Sequence, residues 1–249
     1  MKSQAWTHRL IEQGFAIVPD VISADRIQAL GDAIANIPLG EQVRRKRSIY
    51  GVRNLLEICP EVRQLALCKE IRALVTPILG NTCFAVRAIF FDKTPDANWK
   101  LGWHQDNVIS VKQEIETPGF GPWSRKAGVI QVQPPASILS RMLAVRVHLD
   151  ANDQHNAPLR VLPGSHEHGW LDDHLDVWKQ RVEEVICCVP AGGAVLIRPL
   201  VLHASAAAEQ SRPRRVIHIE FACEELPGEL EWNRRVGPGL EQASAKTDY

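Results

Sequence analysis

Cys83-Phe84-Ala85-Val86-Arg87-Ala88-Ile89-Phe90-Phe91 is the point at which the chain changes character. From Thr82 onward the apolar runs are short, and turn residues close them, which is the pattern of strands. The same reading gives strands at Val129–Val132, Met142–Leu149, Val185–Val189, Ala194–Ile197 and Val216–Ala222. Many short strands with no helical pattern between them predict an antiparallel sandwich or barrel, not a parallel α/β sheet. Residues 107–126 and 151–170, rich in Pro, Gly, Asn and His, read as long connections. Thr117-Pro118-Gly119-Phe120-Gly121-Pro122-Trp123 is long enough to predict a lid.

Upstream the pattern is helical. Gly14-Phe15-Ala16-Ile17-Val18-Pro19 reads as a short strand, and Ser23 as an N-cap with Asp25 in the first turn. Ile27, Leu30, Ile34 and Ile37 then recur at helical spacing until Pro38 and Gly40. A second helical stretch spans about 60–79, with Leu65, Leu67, Ile71, Leu74, Val75 and Ile78 as its apolar positions. Between the two, Arg44-Arg45-Lys46-Arg47 lacks the interleaved aromatics of a nucleic-acid patch and reads as a solvated loop. With no internal repeat and no linker, residues 1–249 are expected to form one domain. Its helical N-terminal layer would cover about 1–80, and its β core about 82–222.

Composition narrows the partners. In 249 residues, 45% are hydrophobic, and Lys plus Arg equal Asp plus Glu at 29 each. That balance gives no ground for broad nucleic-acid or membrane-surface binding, so a small-molecule partner is expected. No apolar run reaches the roughly 18–20 residues of a membrane helix, and the first residues lack a signal-peptide stretch, which predicts a cytoplasmic protein. The six cysteines contain no C-x-x-C pair and read as buried free thiols of a reducing compartment.

Chemistry-bearing residues converge on three places. In Trp103-His104-Gln105-Asp106, an extended backbone projects His104 and Asp106 to one side, where both can reach a single metal ion. An H-x-D triplet alone carries little weight. The third ligand is His203, delivered by the run Ala194–Ile197 just as a polar turn begins. Two imidazoles and one carboxylate suit a non-haem Fe(II) centre with open positions, with zinc as the rival. Arg214 follows eleven residues after His203, at the far end of a hairpin loop. A guanidinium beside a cation site makes sense when an anion lies between them. A dicarboxylate fits, chelating the metal at one end and pairing with Arg214 at the other, with Ser205 as a further donor.

This spacing resembles the phytanoyl-CoA dioxygenase family of Fe(II)/2-oxoglutarate-dependent oxygenases. The resemblance rests on His104-x-Asp106, His203, Ser205 and Arg214, with the turn Leu162-Pro163-Gly164-Ser165-His166-Glu167-His168-Gly169 and the entry strand at 14–19. It covers roughly residues 10–222. It implies a mainly β protein with helices, built on a double-stranded β-helix (jelly roll) core. It further implies Fe(II), 2-oxoglutarate as cosubstrate and O2, and a small-molecule substrate hydroxylated with release of succinate and CO2. In the family the turn holding His166 and His168 is structural, not ligating. Arg146 and Arg87, on strands beside the site, are candidates to contact 2-oxoglutarate or an acidic substrate, or else to run to the surface. Arg53, Asn54 and Gln133 are the candidate substrate residues, with a lean toward a polar or acidic substrate. The competing reading is a metal-dependent cupin-like enzyme that does not use 2-oxoglutarate.

Overall fold

The apolar runs downstream of Thr82 are strands, and all but Val129–Val132 sort into two antiparallel sheets. The computed structural model describes residues 2–171, 175–210 and 212–239. In chain order its strands are β1 (Phe15–Val18), β2 (Val43–Arg45), β3 (Ile49–Val52), β4 (Phe84–Asp92), β5 (Leu101–His104), β6 (Ile109–Val111) and β7 (Trp123–Lys126). They continue with β8 (Val129–Val132), β9 (Leu143–His148), β10 (Leu159–Val161), β11 (Val185–Cys187), β12 (Ala194–Ile197), β13 (His203–Ser205) and β14 (Arg215–Ala222). The larger sheet has the order β1-β12-β9-β14-β4-β3-β2 and the smaller β11-β10-β13-β5. Strands β4, β9, β12 and β14 of the larger sheet alternate along the chain with β5, β10, β11 and β13 of the smaller, the double winding of a jelly roll.

Strand β9 shows why the core is built this way. All six of its residues are buried, so both faces of the larger sheet are covered. Leu143, Val145 and Val147 pack with Leu30, Leu65, Ile71 and Val75 of the N-terminal helices. Ala144 points the other way, into the layer between the sheets with Leu159, Val161 and Ile197. Each such apolar side chain withdrawn from water contributes about 1.5–3 kcal/mol, which is what clamps the helical layer to the sheet.

The helical layer consists of α1 (Lys2–Gln13), α2 (Ala24–Ala35), α3 (Leu55–Ile58), α4 (Pro60–Leu67) and α5 (Lys69–Leu79). Ser23 caps α2 as expected, its hydroxyl accepting from the Arg26 amide at 3.3 Å. The stretch expected as one helix over 60–79 is two. Cys68 breaks it with an extended backbone (φ −65°, ψ 153°), and residues on both sides join the same cluster.

Three connections turn out to contain ordered sheet, and one of them, residues 151–170, holds β10, which pairs with β11 and β13. Arg44 and Arg45, read as part of a solvated loop, lie in the hairpin β2–β3, whose Gly51 and Val52 pair with Phe91 and Phe90 of β4. Residues 107–126, read as a connection containing a lid, hold β6 and β7, which pair with β8 in a third sheet. Ile109, Val111, Phe120 and Trp123 pack there with Leu226 and Trp232. That apolar anchorage holds the segment against the core, and none of its residues lines the cavity described below. All six cysteines are free. Among the described residues, no helix is long and apolar enough to cross a membrane.

Candidate active site

Two neighbouring strands of the smaller sheet bring the imidazoles together. His203 of β13 stands directly across the antiparallel pair from His104 of β5, and their ring centroids are 4.2 Å apart. Cross-strand partners are the closest side chains a sheet offers, so this register does the work of convergence. Strand β5 ends at His104, and Asp106 is fixed by its own amide, which donates to the Pro199 carbonyl at 2.9 Å. Between them Gln105 turns away from the site. Its amide nitrogen donates to the Leu200 and Gly169 carbonyls, and its oxygen accepts from the Leu171 amide.

One donor atom from each of His104, Asp106 and His203 lies within 4.8 Å of the others. The Nδ1 of His104 faces the Gly102 carbonyl at 2.8 Å, and that of His203 faces the Val201 carbonyl at 2.9 Å. A carbonyl only accepts, so each Nδ1 carries the proton and each Nε2 lone pair is left for a metal. Burial pushes the His203 imidazole down to about 3, keeping it neutral. Burial opposes charge on Asp106, but the facing imidazoles and Arg87 outweigh it, and the carboxyl is held below its usual range. Its Oδ2 is buried with no hydrogen-bond partner. An orphaned carboxylate oxygen beside two preset imidazoles is a fit for a divalent cation.

The site lies in a cavity of about 360 Å³ between the sheets, within the range that holds a small ligand. Arg214, only 1% exposed, lines it just ahead of β14. Its backbone amide donates to Asp92 at 2.8 Å, while its side-chain Nε has no partner. Burial and the neighbouring Arg146 push its guanidinium down to about 9. Arg215, by contrast, turns outward to pair with Asp150 at 2.7 Å. Ser205 of β13 lines the cavity beside Arg214.

One residue of this group had no signal in the sequence. Lys93, the residue after β4, is 1% exposed and donates from Nζ to Ser205 Oγ at 2.9 Å and to the Ala206 carbonyl. Burial, with Arg214 and Arg146 nearby, pushes its ammonium down to about 7. Its charge becomes visible only once β4 is laid against β14, because in sequence it is a lysine at a strand end.

Arg146, Arg87, His218 and Glu220 form a chain on the inner face of the larger sheet. Arg146 donates from Nη1 to His218 Nδ1 at 3.2 Å, and His218 Nε2 meets Glu220 Oε1 at 3.1 Å. A guanidinium can only donate, so Nδ1 accepts and Nε2–H donates a hydrogen bond to the carboxylate. Arg87 grips both oxygens of Glu220, with Nε at 2.9 Å from Oε2. Asp106, His218 and Glu220 also lie close enough to suggest a ligand set, but His218 and Glu220 are committed to this chain. Arg53 lines the cavity; Asn54 and Gln133 do not. The Asn54 side chain donates instead to the Ala127 carbonyl at 3.0 Å, and Gln133 pairs through its backbone with Gly121 and Pro122. His166 serves the turn, its Nε2 against the Ile11 carbonyl at 3.1 Å.

Two imidazoles and a carboxylate gathered inside a jelly roll place the chain among oxygenase-type enzymes. More narrowly, it belongs to the phytanoyl-CoA dioxygenase family, whose family model matches residues 10–216. No curated protein matches the sequence. Among solved structures, EctD from S. alaskensis with bound Fe is similar at 18% identity and a TM-score of 0.67, over 86% of this chain and 74% of that one. The non-heme alpha ketoglutarate dependent epimerase SnoN from nogalamycin biosynthesis is similar at 18% identity and a TM-score of 0.66, over 95% of each chain. The carbocyclase SnoK from the same biosynthesis gives 17% identity and a TM-score of 0.66, over 97% of this chain and 90% of that one. EctD has also been crystallised with 2-oxoglutarate and 5-hydroxyectoine, and SnoN with Fe3+, alpha ketoglutarate and nogalamycin RO.

Proposed function

We propose that the protein is an Fe(II)- and 2-oxoglutarate-dependent oxygenase that hydroxylates an unactivated C–H bond of a small molecule. The observation that carries this reading is the shared cavity. His104, Asp106 and His203 stand at one place in it, and an unpaired buried guanidinium, Arg214, lines the same space. Iron(II), with 2-oxoglutarate and O2, supplies the oxidation of the C–H bond while the cosubstrate is split to succinate and CO2.

The chain's own residues do the positioning. His104, Asp106 and His203 hold the metal, with the imidazoles preset by the Gly102 and Val201 carbonyls and the carboxylate by the Pro199 carbonyl. Arg214 takes the far carboxylate of the cosubstrate as a bidentate partner, and Lys93 and Ser205 flank it. Burying three such donors without a resident anion costs stability, and an incoming dicarboxylate relieves that cost. The family resemblance and the ligand contents of EctD and SnoN support the same assignment. SnoN and SnoK are an epimerase and a carbocyclase, so hydroxylation is the part of the proposal that rests least on fold.

The test is anaerobic reconstitution. The protein should bind one equivalent of Fe(II), and added 2-oxoglutarate should raise a weak visible charge-transfer band. Correctly folded, iron-loaded protein that shows no band would remove the assignment. Succinate release under air separates it from a cupin-like enzyme that dispenses with 2-oxoglutarate.

A further inference from the structure

The cavity holds far more positive charge than the proposed reaction needs. Arg44, Arg53, Arg87, Lys93, Arg146 and Arg214 line it, against a single lining carboxylate, Asp106. Glu220, behind the wall, neutralises Arg87. Iron(II) and 2-oxoglutarate carry equal and opposite charges, so filling the site with both leaves the excess untouched. Arg214 and Lys93 are spoken for by the cosubstrate, and Arg146 donates to His218.

Arg44 and Arg53 remain. Among the described residues, neither guanidinium has a hydrogen-bond or ion-pair partner. They sit on the two arms of the β2–β3 hairpin, where the Arg53 amide donates to the Gln42 carbonyl at 2.9 Å. Arg53 is half-buried, and burial first, then Arg44 and Arg87, push it below the usual guanidinium value. Lys46 and Arg47 of the basic run have another task. Lys46 donates to the Asp96 carbonyl and Arg47 pairs with the Asp96 carboxylate at 3.3 Å. The hairpin tip is thereby tied to the loop that carries Trp99. Tyr50 of the hairpin and Trp99 of that loop have ring centroids 6.3 Å apart, and both line the cavity with Leu101, which is 42% exposed.

We propose that the substrate is a small organic oxyanion, a carboxylate or phosphate. Its acid group docks on Arg44 and Arg53, and its apolar or ring portion lies against Tyr50, Trp99 and Leu101. This rests on the oxygenase reading above, which supplies the occupant of the Arg214 end and so leaves the hairpin end for the substrate. Two unpaired guanidinia beside an aromatic wall match an acid group on an apolar body: the fork geometry takes the oxyanion, and the rings take the flat remainder. Arg44 is exposed and keeps its water, but a neutral substrate would shield the half-buried Arg53 further without supplying a counter-ion.

The experiment titrates matched pairs into the anaerobic Fe(II)/2-oxoglutarate-loaded protein. The pairs are phenylacetate and phenylacetamide, phenyl phosphate and phenol, and indole-3-carboxylate and its carboxamide. Binding is read from tryptophan fluorescence and from the visible band. At least one anion should bind about tenfold or more tightly than its neutral twin, and Arg53→Gln and Arg44→Gln should each weaken it by about tenfold. Half-saturation by 2-oxoglutarate should stay within about twofold of wild type in both variants. The proposal is overturned if no anion outbinds its neutral twin, or if both variants bind the anions like wild type. It is equally overturned if the anions compete with 2-oxoglutarate, since they would then be using Lys93 and Arg214. A wild-type protein that gives no band, yet keeps an anion preference sensitive to Arg53→Gln, would sink the oxygenase reading and leave the docking site standing.

Discussion

Arg214 carries its charge into a cavity where, among the described residues, no carboxylate pairs with its guanidinium, and that isolation makes its removal informative. Arg214→Ala should weaken 2-oxoglutarate binding by on the order of 2–3 kcal/mol, roughly 30- to 150-fold, because a charge-assisted bidentate pair is lost. Iron stoichiometry should stay at one, since the ligands lie on other strands. The anaerobic band, titrated with cosubstrate, measures both, and an unchanged half-saturation would mean the anchor is elsewhere. Lys93 permits a second test. Held at about 7, it is mostly neutral at pH 8 and mostly charged at pH 6. A carboxylate arriving beside it raises its affinity for protons, so 2-oxoglutarate binding should take up roughly one proton at pH 8 and roughly none at pH 6. Calorimetry in buffers of different ionisation enthalpy reads that number, and Lys93→Met should abolish the difference. The contrast between these residues shows what sequence can and cannot say. That His104, Asp106, His203, Ser205 and Arg214 would meet in one cavity was legible, because their spacing along the chain carries it. Lys93 and the His218–Glu220 pair were not, because Ser205, Arg146 and Arg87, which engage them, lie on strands distant in sequence.

At the scale of elements, the turn at 163–168 earns its place through what it ties together. Ser165 is fully buried; its hydroxyl donates to the Leu162 carbonyl at 2.7 Å and accepts from the Leu202 amide at 2.8 Å. Leu202 immediately precedes His203, so this bond fixes the entry to β13. The Gly164 amide reaches back to Gln13, and a Cβ on Gly14 (φ +80°) would stand 2.5 Å from the His166 ring. Ser165→Ala leaves a buried amide unsatisfied and should cost about 1–3 kcal/mol in urea unfolding of the metal-free protein. It should also weaken iron binding more than Arg214→Ala does, because it loosens the strand that bears a ligand. Equal iron affinities in the two variants would deny the turn that role. Strands with their own apolar run, such as β8 and β12, were legible to the residue, and β9 within one. Strands without such a run were not. The pair β2 and β3 and the strand β13 are held by their neighbours in the sheet, and their own pattern is too short to announce them.

Over the whole molecule, a net charge of zero conceals a basic interior, because charge counts add where the fold segregates. Segregation has a consequence for stability that can be signed. His148 is 1% exposed, both ring nitrogens lack partners, and burial with Arg146 and Arg214 nearby pushes it down to about 3. His203 is held neutral at about the same value. In the unfolded chain each imidazole takes a proton below about 6.5, whereas the folded chain refuses it until about 3. Unfolded protein therefore binds more protons across that window, and stability falls as pH falls, by up to ~1.4 kcal/mol per pH unit for each group. Lys93 acts in the same direction at higher pH: between about 7 and its ordinary 10.5 the unfolded chain again holds the extra proton. The metal-free protein should thus melt at progressively higher temperature from pH 5 to pH 8. His148→Leu should flatten the acid limb by roughly one proton's slope, which denaturant titrations at pH 5, 6 and 7 would read directly. A flat acid limb in the wild-type chain, or a His148→Leu limb parallel to it, would mean that the inner face of the larger sheet admits water around His148 and Arg146.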